Sequence, residues 1–380
     1  MLTRTVTVAY FNYTTHWATD WWARREFIHA WWRLNADDPR WLPPDYATWR
    51  RLIVQRDAAY WQQLAAQPFY LEALPRRRPS TYAPQHQPML AGAVFEQPVA
   101  AAVLLCEPAP AGVAYLSMLH CANDEETLDR LLGAAMERAA EAGCTRLVAP
   151  AGLLPEWGGG ALLDRFDQLP PLHTPSNPPY LADLLATSME VCQRQQLLIL
   201  PVNAVAADAG PAVLKPLTLT DLAGVHLPLL AAALTPHSEK AELSPDAAAL
   251  LLHWVGVYPT CGWLAEVDGA AAGFVVVQPD LAPLVRRTGG GRWLPWRWYG
   301  RWALRRPVRR GRLLFGAVVP MWRKRGVGRQ LLAEVQRHAA AAGWSELICG
   351  PFTDDAPVAC WLQRAGARVE QHYALFEWNG

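Results

Sequence analysis

The sequence predicts an α/β protein, a mixed α+β sheet with helices, built as two tandem copies of one unit with the first copy degenerate. Three observations predict it. "AAEAGCTRLVA" (Ala139 to Ala149) returns as "AAAAGWSELIC" (Ala339 to Cys349), a spacing of 200 residues. An apolar run precedes each at the same spacing, "VAYLSML" (Val113 to Leu119) and "LLFGAVV" (Leu313 to Val319). Between run and repeat lies a stretch with helical period, carrying Leu131 and Leu132 in one copy and Leu331 and Leu332 in the other. A chain of 380 residues is long enough for two domains.

The elements follow in order. Tryptophans cluster from Trp17 to Trp61 around "DDPRWLPP", which reads as a rigid extended turn with aromatic packing at an interface. "VFEQPVAAAVLL" (Val94 to Leu105) reads as a hairpin turning at Gln97-Pro98. "AEVDGAAAGFVVV" (Ala265 to Val277) is its counterpart, turning at Asp268-Gly269. Each copy then runs through a strand, a helix, a glycine stop and a short buried strand. In copy one the helix starts on acidic residues, with Asn123 or Asp124 as N-cap. The expected boundaries are 1–205 for the first domain with its Trp-rich extension, 206–215 for a linker, and 216–380 for the second domain.

Composition narrows the class. Formal net charge is +1, so global charge predicts neither nucleic-acid binding nor acidic partners. Seven cysteines, an odd number with no C-x-x-C pair, speak against a disulfide framework or a zinc site, and no metal is expected. The N-terminus lacks a basic-then-apolar signal and no run approaches 18 apolar residues, so a soluble cytoplasmic protein is expected.

The copies part at one loop. Copy two reads Arg323-Lys324-Arg325-Gly326-Val327-Gly328-Arg329, and copy one reads Asn123-Asp124-Glu125-Glu126-Thr127-Leu128-Asp129. A helix N-terminus presents unpaired N–H groups and partial positive charge. Glycines let backbone approach an anion, and arginines add charge-assisted donors suited to phosphate. Val327, Leu331, Leu332 and Val335 fall on one face of the helix that follows. The loop is therefore predicted to hold a phosphorylated ligand. It is neither a Walker loop nor a Rossmann fingerprint, because the order is R-x-x-G-x-G.

That order, after a strand ending "VVP", resembles the acyl-CoA-binding motif of the GNAT superfamily of N-acetyltransferases. The resemblance implies acetyl-CoA or another acyl-CoA as co-substrate. It also implies that backbone groups of Ala317, Val318 and Val319 pair with the pantetheine arm and that Arg323 through Arg329 wrap the pyrophosphate. "GPFTDDAPVACWLQRAGARV" resembles the family's second half, N-x-x-A-x-x-x-Y-x-x-x-G-F. Alignment on Gly366 puts Asp355 at the Asn position, Val358 at the Ala position and Leu362 where the family's acid tyrosine stands. Tyr373 and Cys360 are nearby substitutes for that acid. "FIHAWWRLNADDPRWLPPDY", "NPPYLADLL" and "VVVQPDLAPLVRRTGGGRWLPW" resemble bacterial double-GNAT proteins over nearly the whole chain. In copy one, Asp124, Glu125 and Glu126 would repel a pyrophosphate, so that copy reads as a non-binding half.

The implied chemistry is direct attack of an amine on the acyl thioester, with a base or water taking the proton. Candidate bases are Glu266, His237, Glu239, Glu242 and Asp354. The acceptor is a small-molecule or lipid-like amine. A non-catalytic CoA-binding or structural module is the alternative. One segment is left over: Arg286 to Arg312 holds ten arginines, four tryptophans and no acid. It reads as a solvated cap packed on the other half, as a peripheral contact with an anionic membrane, or, least of the three, as a stacking surface for single-stranded nucleic acid, which is not expected as a partner.

Overall fold

Both predicted units form, and they lie side by side in a single sheet. The computed structural model describes residues 11–36, 38, 40–54, 66–75, 97–107, 112–152, 159–203, 210–224, 226–234, 245–292 and 308–379. Copy one is built on strands β1 (Phe11–Trp17), β2 (Gln67–Pro75), β3 (Gln97–Glu107), β4 (Val113–Cys121) and β5 (Arg146–Ala151), with a short β6 (Ala161–Leu162). Strand β7 (Glu190–Pro201) follows. Copy two has β8 (Val213–Pro216), β9 (Cys261–Val267), β10 (Ala270–Pro279), β11 (Arg310–Val318), β12 (Glu346–Thr353) and β13 (Arg368–Asn379). The sheet order is β1-β2-β3-β4-β5-β13-β7-β12-β11-β10-β9-β8, and β6 pairs β13 off this path. Among the described strands only β4 with β5 and β11 with β12 run parallel; each crossover is filled by a helix, α3 (Glu125–Glu141) or α9 (Val327–Ala341).

The last strands are exchanged between the copies. Strand β13, at the end of copy two, pairs β5 of copy one, while β7 pairs β12 of copy two. The two also pair each other. Tyr373 on β13 is wholly buried and shares a cluster with Leu162, Leu197, Ile199 and Ile348, so one core is made from both copies. The expected linker 206–215 ends inside a strand, since Val213–Pro216 pair with β9.

The two-residue turn at Asp268-Gly269 forms, with φ of 52° and 79° between Val267 and Ala270. Two positive φ values match the twist of the strands they join. The hairpin expected at Gln97-Pro98 does not form. Both residues open β3 and pair Ala73 and Glu72 on β2, beside a register shift. A proline is tolerated at the start of a strand as well as in a turn, and Pro98 takes the former place.

The two copies correspond element by element, with an offset that changes once. Helix α3 and helix α9 correspond at a spacing of 200: Cys144 N–H returns to Ala139 and Trp344 N–H to Ala339. The strands before them correspond at 197, because Val113 sits opposite Arg146 and Arg310 opposite Glu346. The match of Val113 with Leu313 is thus corrected by three residues. The strands end alike, with Ala122 N–H on Val99 O and Val319 N–H on Ala272 O. The three extra residues of copy two therefore lie in the loop before α9.

The helices pack by their apolar faces. On α3, Leu128, Leu131, Leu132, Ala135 and Ala139 are buried; on α9, Val327, Leu331, Val335 and Ala339 are, and Leu332 is half-buried. Asp124 is the N-cap of α3, accepting Thr127 N–H at 2.8 Å. Several of the tryptophans pack between the copies, while Trp17 packs within copy one, Trp21 and Trp22 are exposed, and Trp61 lies outside the described residues. Trp31, Trp32 and Trp49, from α1 (Trp21–Ala36) and α2 (Tyr46–Val54), share a core with α5 (Leu219–Ala223), α6 (Leu227–Leu234) and α7 (Pro245–Val255). Trp32 meets Trp41 edge-on at 4.9 Å and Tyr46 at 5.1 Å. Remaining helices among the described residues are α4 (Leu181–Leu185), α8 (Ala282–Arg287) and α10 (Pro357–Arg364). No described helix is long and apolar enough to cross a membrane.

Candidate functional site

Strands β11 and β12 begin as neighbours and then part. Their ladder runs through four pairs, from Arg310 with Glu346 to Leu313 with Cys349. Beyond Leu313, β11 continues to Val318 against β10 alone. The opening is a cleft, and the loop before α9 stands at its end. Residues of both copies line one cavity of about 880 Å³ that contains it.

The sequence explains why the loop closes there. Pro320–Trp322 form one 3₁₀ turn. Lys324 then takes φ of 60° and Gly326 φ of 92°, which reverse the chain into the helix. Arg323 folds back, and its Nε donates to the Val318 carbonyl at 3.0 Å. Arg325 stacks on Trp322, its guanidinium carbon 5.3 Å from the ring centroid. Gln330 ties the helix to the chain entering copy two, accepting Ala212 N–H at 3.1 Å and donating to Ala212 O at 2.6 Å. Nothing in the sequence reading pointed to this glutamine.

Most of the expected ligand loop faces the cavity. Arg323, Lys324, Gly326, Gly328 and Arg329 line it, as do Ala317 and Val318. Arg325 lies on Trp322 instead, and the Val327 side chain is in the core, so only its backbone is offered. Val319 departs from expectation: its N–H is bound to Ala272 O at 2.9 Å and is not available to a ligand. By the alternation of an antiparallel ladder, Ala317 turns its N–H and C=O to β10, while Gly316 and Val318 turn theirs to the cleft. Gly316, which the sequence reading left out, lines the cavity. Asp355 does not; it is exposed in the turn before α10. From α10, Val358, Trp361 and Leu362 form the opposite wall.

The expected catalytic side chains that fall among the described residues are not brought together. Tyr373 is buried behind the residues that line the cavity and donates to Gln371 Oε1 at 3.0 Å. Burial pushes its phenol well above the usual range. Glu266, on β9, is paired with Lys215 Nζ outside the cavity. Asp354 is exposed in a turn and Cys360 is exposed on α10. His237, Glu239 and Glu242 lie outside the described residues. Among the described lining residues the Arg and Lys side chains are Arg312, Arg323, Lys324, Arg329 and Arg364, against one carboxylate, Asp45. That carboxylate caps α2 by accepting Thr48 N–H at 2.9 Å.

Copy one differs at this loop, which is three residues shorter and acidic. Cys121, the counterpart of Val318, has its carbonyl bound by Tyr180 OH at 2.9 Å, where Val318 is bound by Arg323. Of the Arg286 to Arg312 segment, residues 293–307 lie outside the described residues. Arg292 stacks near Trp32 and Tyr46, at 5.7 and 5.8 Å, which joins this segment to the tryptophan cluster. No cluster of three or more His, Cys, Asp or Glu able to hold a metal occurs among the described residues.

Residues 230–366 match the acetyltransferase (GNAT) family. No curated protein matches the chain. Among solved structures, a tandem GNAT protein from the clavulanic acid biosynthesis pathway is similar over 97% of this chain and 98% of its own, with TM-score 0.55 and 14% identity. A probable N-acyltransferase of unknown function from Enterococcus faecalis V583 is similar over 97% of this chain and 72% of its own, with TM-score 0.54 and 8% identity. An N-acetyltransferase of the same superfamily from Anabaena variabilis has TM-score 0.52 at 9% identity, over 97% of this chain and 72% of its own. At these identities the likeness is one of fold.

Proposed function

We propose that this chain, whose second copy is a GNAT-family acetyltransferase domain within a tandem GNAT fold, transfers an acyl group from acyl-CoA to an amine. The observation that carries the reading is the parting of β11 from β12 opposite a cationic, glycine-bearing helix start. A phosphorylated ligand seated on the N–H groups of α9 would be held by Arg323, Lys324 and Arg329. Its arm would run along β11, where Gly316 and Val318 turn backbone groups outward as an added strand requires. Val358, Trp361 and Leu362 would cover it.

The acceptor nitrogen then attacks the thioester carbonyl carbon, and the carbon–sulfur bond breaks. Sulfur leaves as a thiolate, the nitrogen gives its proton to solvent, and the thiolate takes one back from solvent, so an amide and the free CoA thiol form. A backbone N–H of the cleft-facing β11 edge would polarise the carbonyl. A thiolate of pKa about 8.5 leaves readily, so the absence of a tyrosine at Leu362 does not stop the step. With Tyr373 and Glu266 outside the cavity, water is the simplest proton acceptor.

Acetyl-CoA is the simplest donor. The test is release of CoA thiol from acetyl-CoA with a panel of amines, followed over many turnovers. Turnover with at least one amine is expected. Tight binding of acetyl-CoA with no turnover on any amine or any acyl-CoA would favour the non-catalytic module instead.

A further inference from the structure

We propose that Arg312 is the anchor for a carboxylate carried by one of the two reactants, acceptor or acyl group; this rests on the acyl-transfer reading above. Arg312 stands on β11 one residue before the strands part, opposite Ile348. It lines the cavity yet is 3% exposed. Its Nη2 donates to Gly350 O at 2.9 Å and to His173 O at 3.4 Å. The N–H groups on Nε and Nη1 are buried and have no acceptor among the described residues.

A buried cation with idle donors is costly unless something arrives to meet them. The nearby buried acid does not. Asp280 accepts Leu172 N–H at 3.0 Å and Ala282 N–H at 3.3 Å, and Arg310 Nε lies 3.8 Å from it. Asp280 acts on Arg312 through charge, without a hydrogen bond. Burial outweighs that help and lowers the guanidinium pKa to about 10, which still leaves it charged at neutral pH. Asp45, the cavity's described carboxylate, is engaged at the start of α2. Copy one has Tyr115 at the corresponding place, so the cation belongs to the active cleft alone.

Distance decides which anion it meets. Six residues of strand separate Arg312 from Val318, about 20 Å at the rise of an extended chain. A pyrophosphate at the start of α9 is therefore out of its reach. Arg312 stands where β11 and β12 part, the place where, on the acyl-transfer reading, the acyl group and the acceptor would come together. The planar guanidinium fork suits a carboxylate there.

The test compares wild type with Arg312→Met and Arg312→Lys in two arms. One arm gives acetyl-CoA with each of the twenty amino acids and with the corresponding amides. The other gives butyryl-CoA or succinyl-CoA with one amine. In one arm the carboxylate-bearing member should be preferred by about a hundredfold or more in kcat/KM, as for sites built to bond a polar group. Arg312→Met should erase that preference by slowing the carboxylate-bearing member only, and Arg312→Lys should keep part of it. Titration with acetyl-CoA should be unchanged in both variants, which separates this inference from the cofactor reading. Should Arg312→Met not fold, the wild-type pairs and Arg312→Lys decide. Should nothing turn over, calorimetric titration with N-acetylated amino acids and with succinyl-CoA replaces rates, and affinity should fall in the variants. Equal treatment of both members in both arms, or equal losses on both in Arg312→Met, would overturn the proposal.

Discussion

The guanidinium of Arg323 donates from Nε to the carbonyl of Val318 at 3.0 Å, across the turn that the three extra residues of copy two create. The bond fixes the loop against the strand whose outer edge faces the cleft. Arg323 also lines the cavity. Arg323→Ala should weaken acetyl-CoA binding by about ten- to a hundredfold, the loss of one charge-assisted contact. Arg323 is exposed, so the melting temperature should hardly move. Calorimetry and a thermal melt on the same sample check both.

The two glycines of the loop should respond differently. Gly326 has φ of 92°, and a methyl there would find only Pro211 Cδ at 3.6 Å. Strain, not crowding, is the penalty, so Gly326→Ala should destabilise by about 1 kcal/mol and Gly326→Asn by less. Gly328 has no such strain, and an added Cβ would rest 3.6 Å from Val318 Cγ2. Gly328→Ala should fold normally. Gly328→Glu should also fold but lose acetyl-CoA binding, because it sets a carboxylate where the phosphates are expected. Unchanged affinity in Gly328→Glu would contradict the cofactor site.

Gln330 satisfies both backbone groups of Ala212, and Gln336 does similar work further along α9. Gln336 accepts Asn203 N–H at 3.1 Å and donates to Pro201 O at 3.2 Å. Gln330→Ala leaves Ala212 without these partners and should destabilise by about 1–3 kcal/mol. Urea unfolding of the variant, with an unchanged slope, reads this directly.

Asp124 should make copy one acid-sensitive in a defined sense. Burial acts to raise its pKa, but the Thr127 hydroxyl, the Thr127 N–H and the Tyr13 hydroxyl together hold it below the ordinary carboxylate value. A depressed folded-state pKa gives stability that is present above the unfolded pKa, about 3.9, and lost as pH falls through the folded value. Asp124→Ala should cost about 1 kcal/mol at neutral pH, as for a lost N-cap. The difference from wild type should shrink below about pH 4. A constant difference down to pH 2 would rule this out.

The exchange of β7 and β13 predicts one cooperative unfolding transition for both copies. Residues 1–205 or 216–380 alone would each lose a central strand partner and should not fold stably. Two well-separated calorimetric transitions would contradict it.

Much of this was legible in the sequence where the signal is local. The loop expected to hold an anion is contiguous, and its glycines and arginines have meaning at any helix start. The doubling shows because Ala139–Ala149 and Ala339–Cys349 are each one helix end and one strand. Partner choice between distant strands was not legible: β7 and β13 suit either neighbour by pattern, and only packing around Tyr373 decides. The three-residue offset was hidden because apolar strands align equally well at 197 or 200. Arg312 was hidden by its company. It closes an arginine-rich run and reads as surface charge, yet it lies in a core strand with its side chain enclosed.

The most direct measurement is a calorimetric titration of the whole chain with acetyl-CoA, read for stoichiometry. One site per chain, lost in Gly328→Glu, is the predicted result. Two sites would mean that the acidic loop of copy one also binds. No heat and no thermal shift at high ligand would mean that the cleft between β11 and β12 is not a cofactor site.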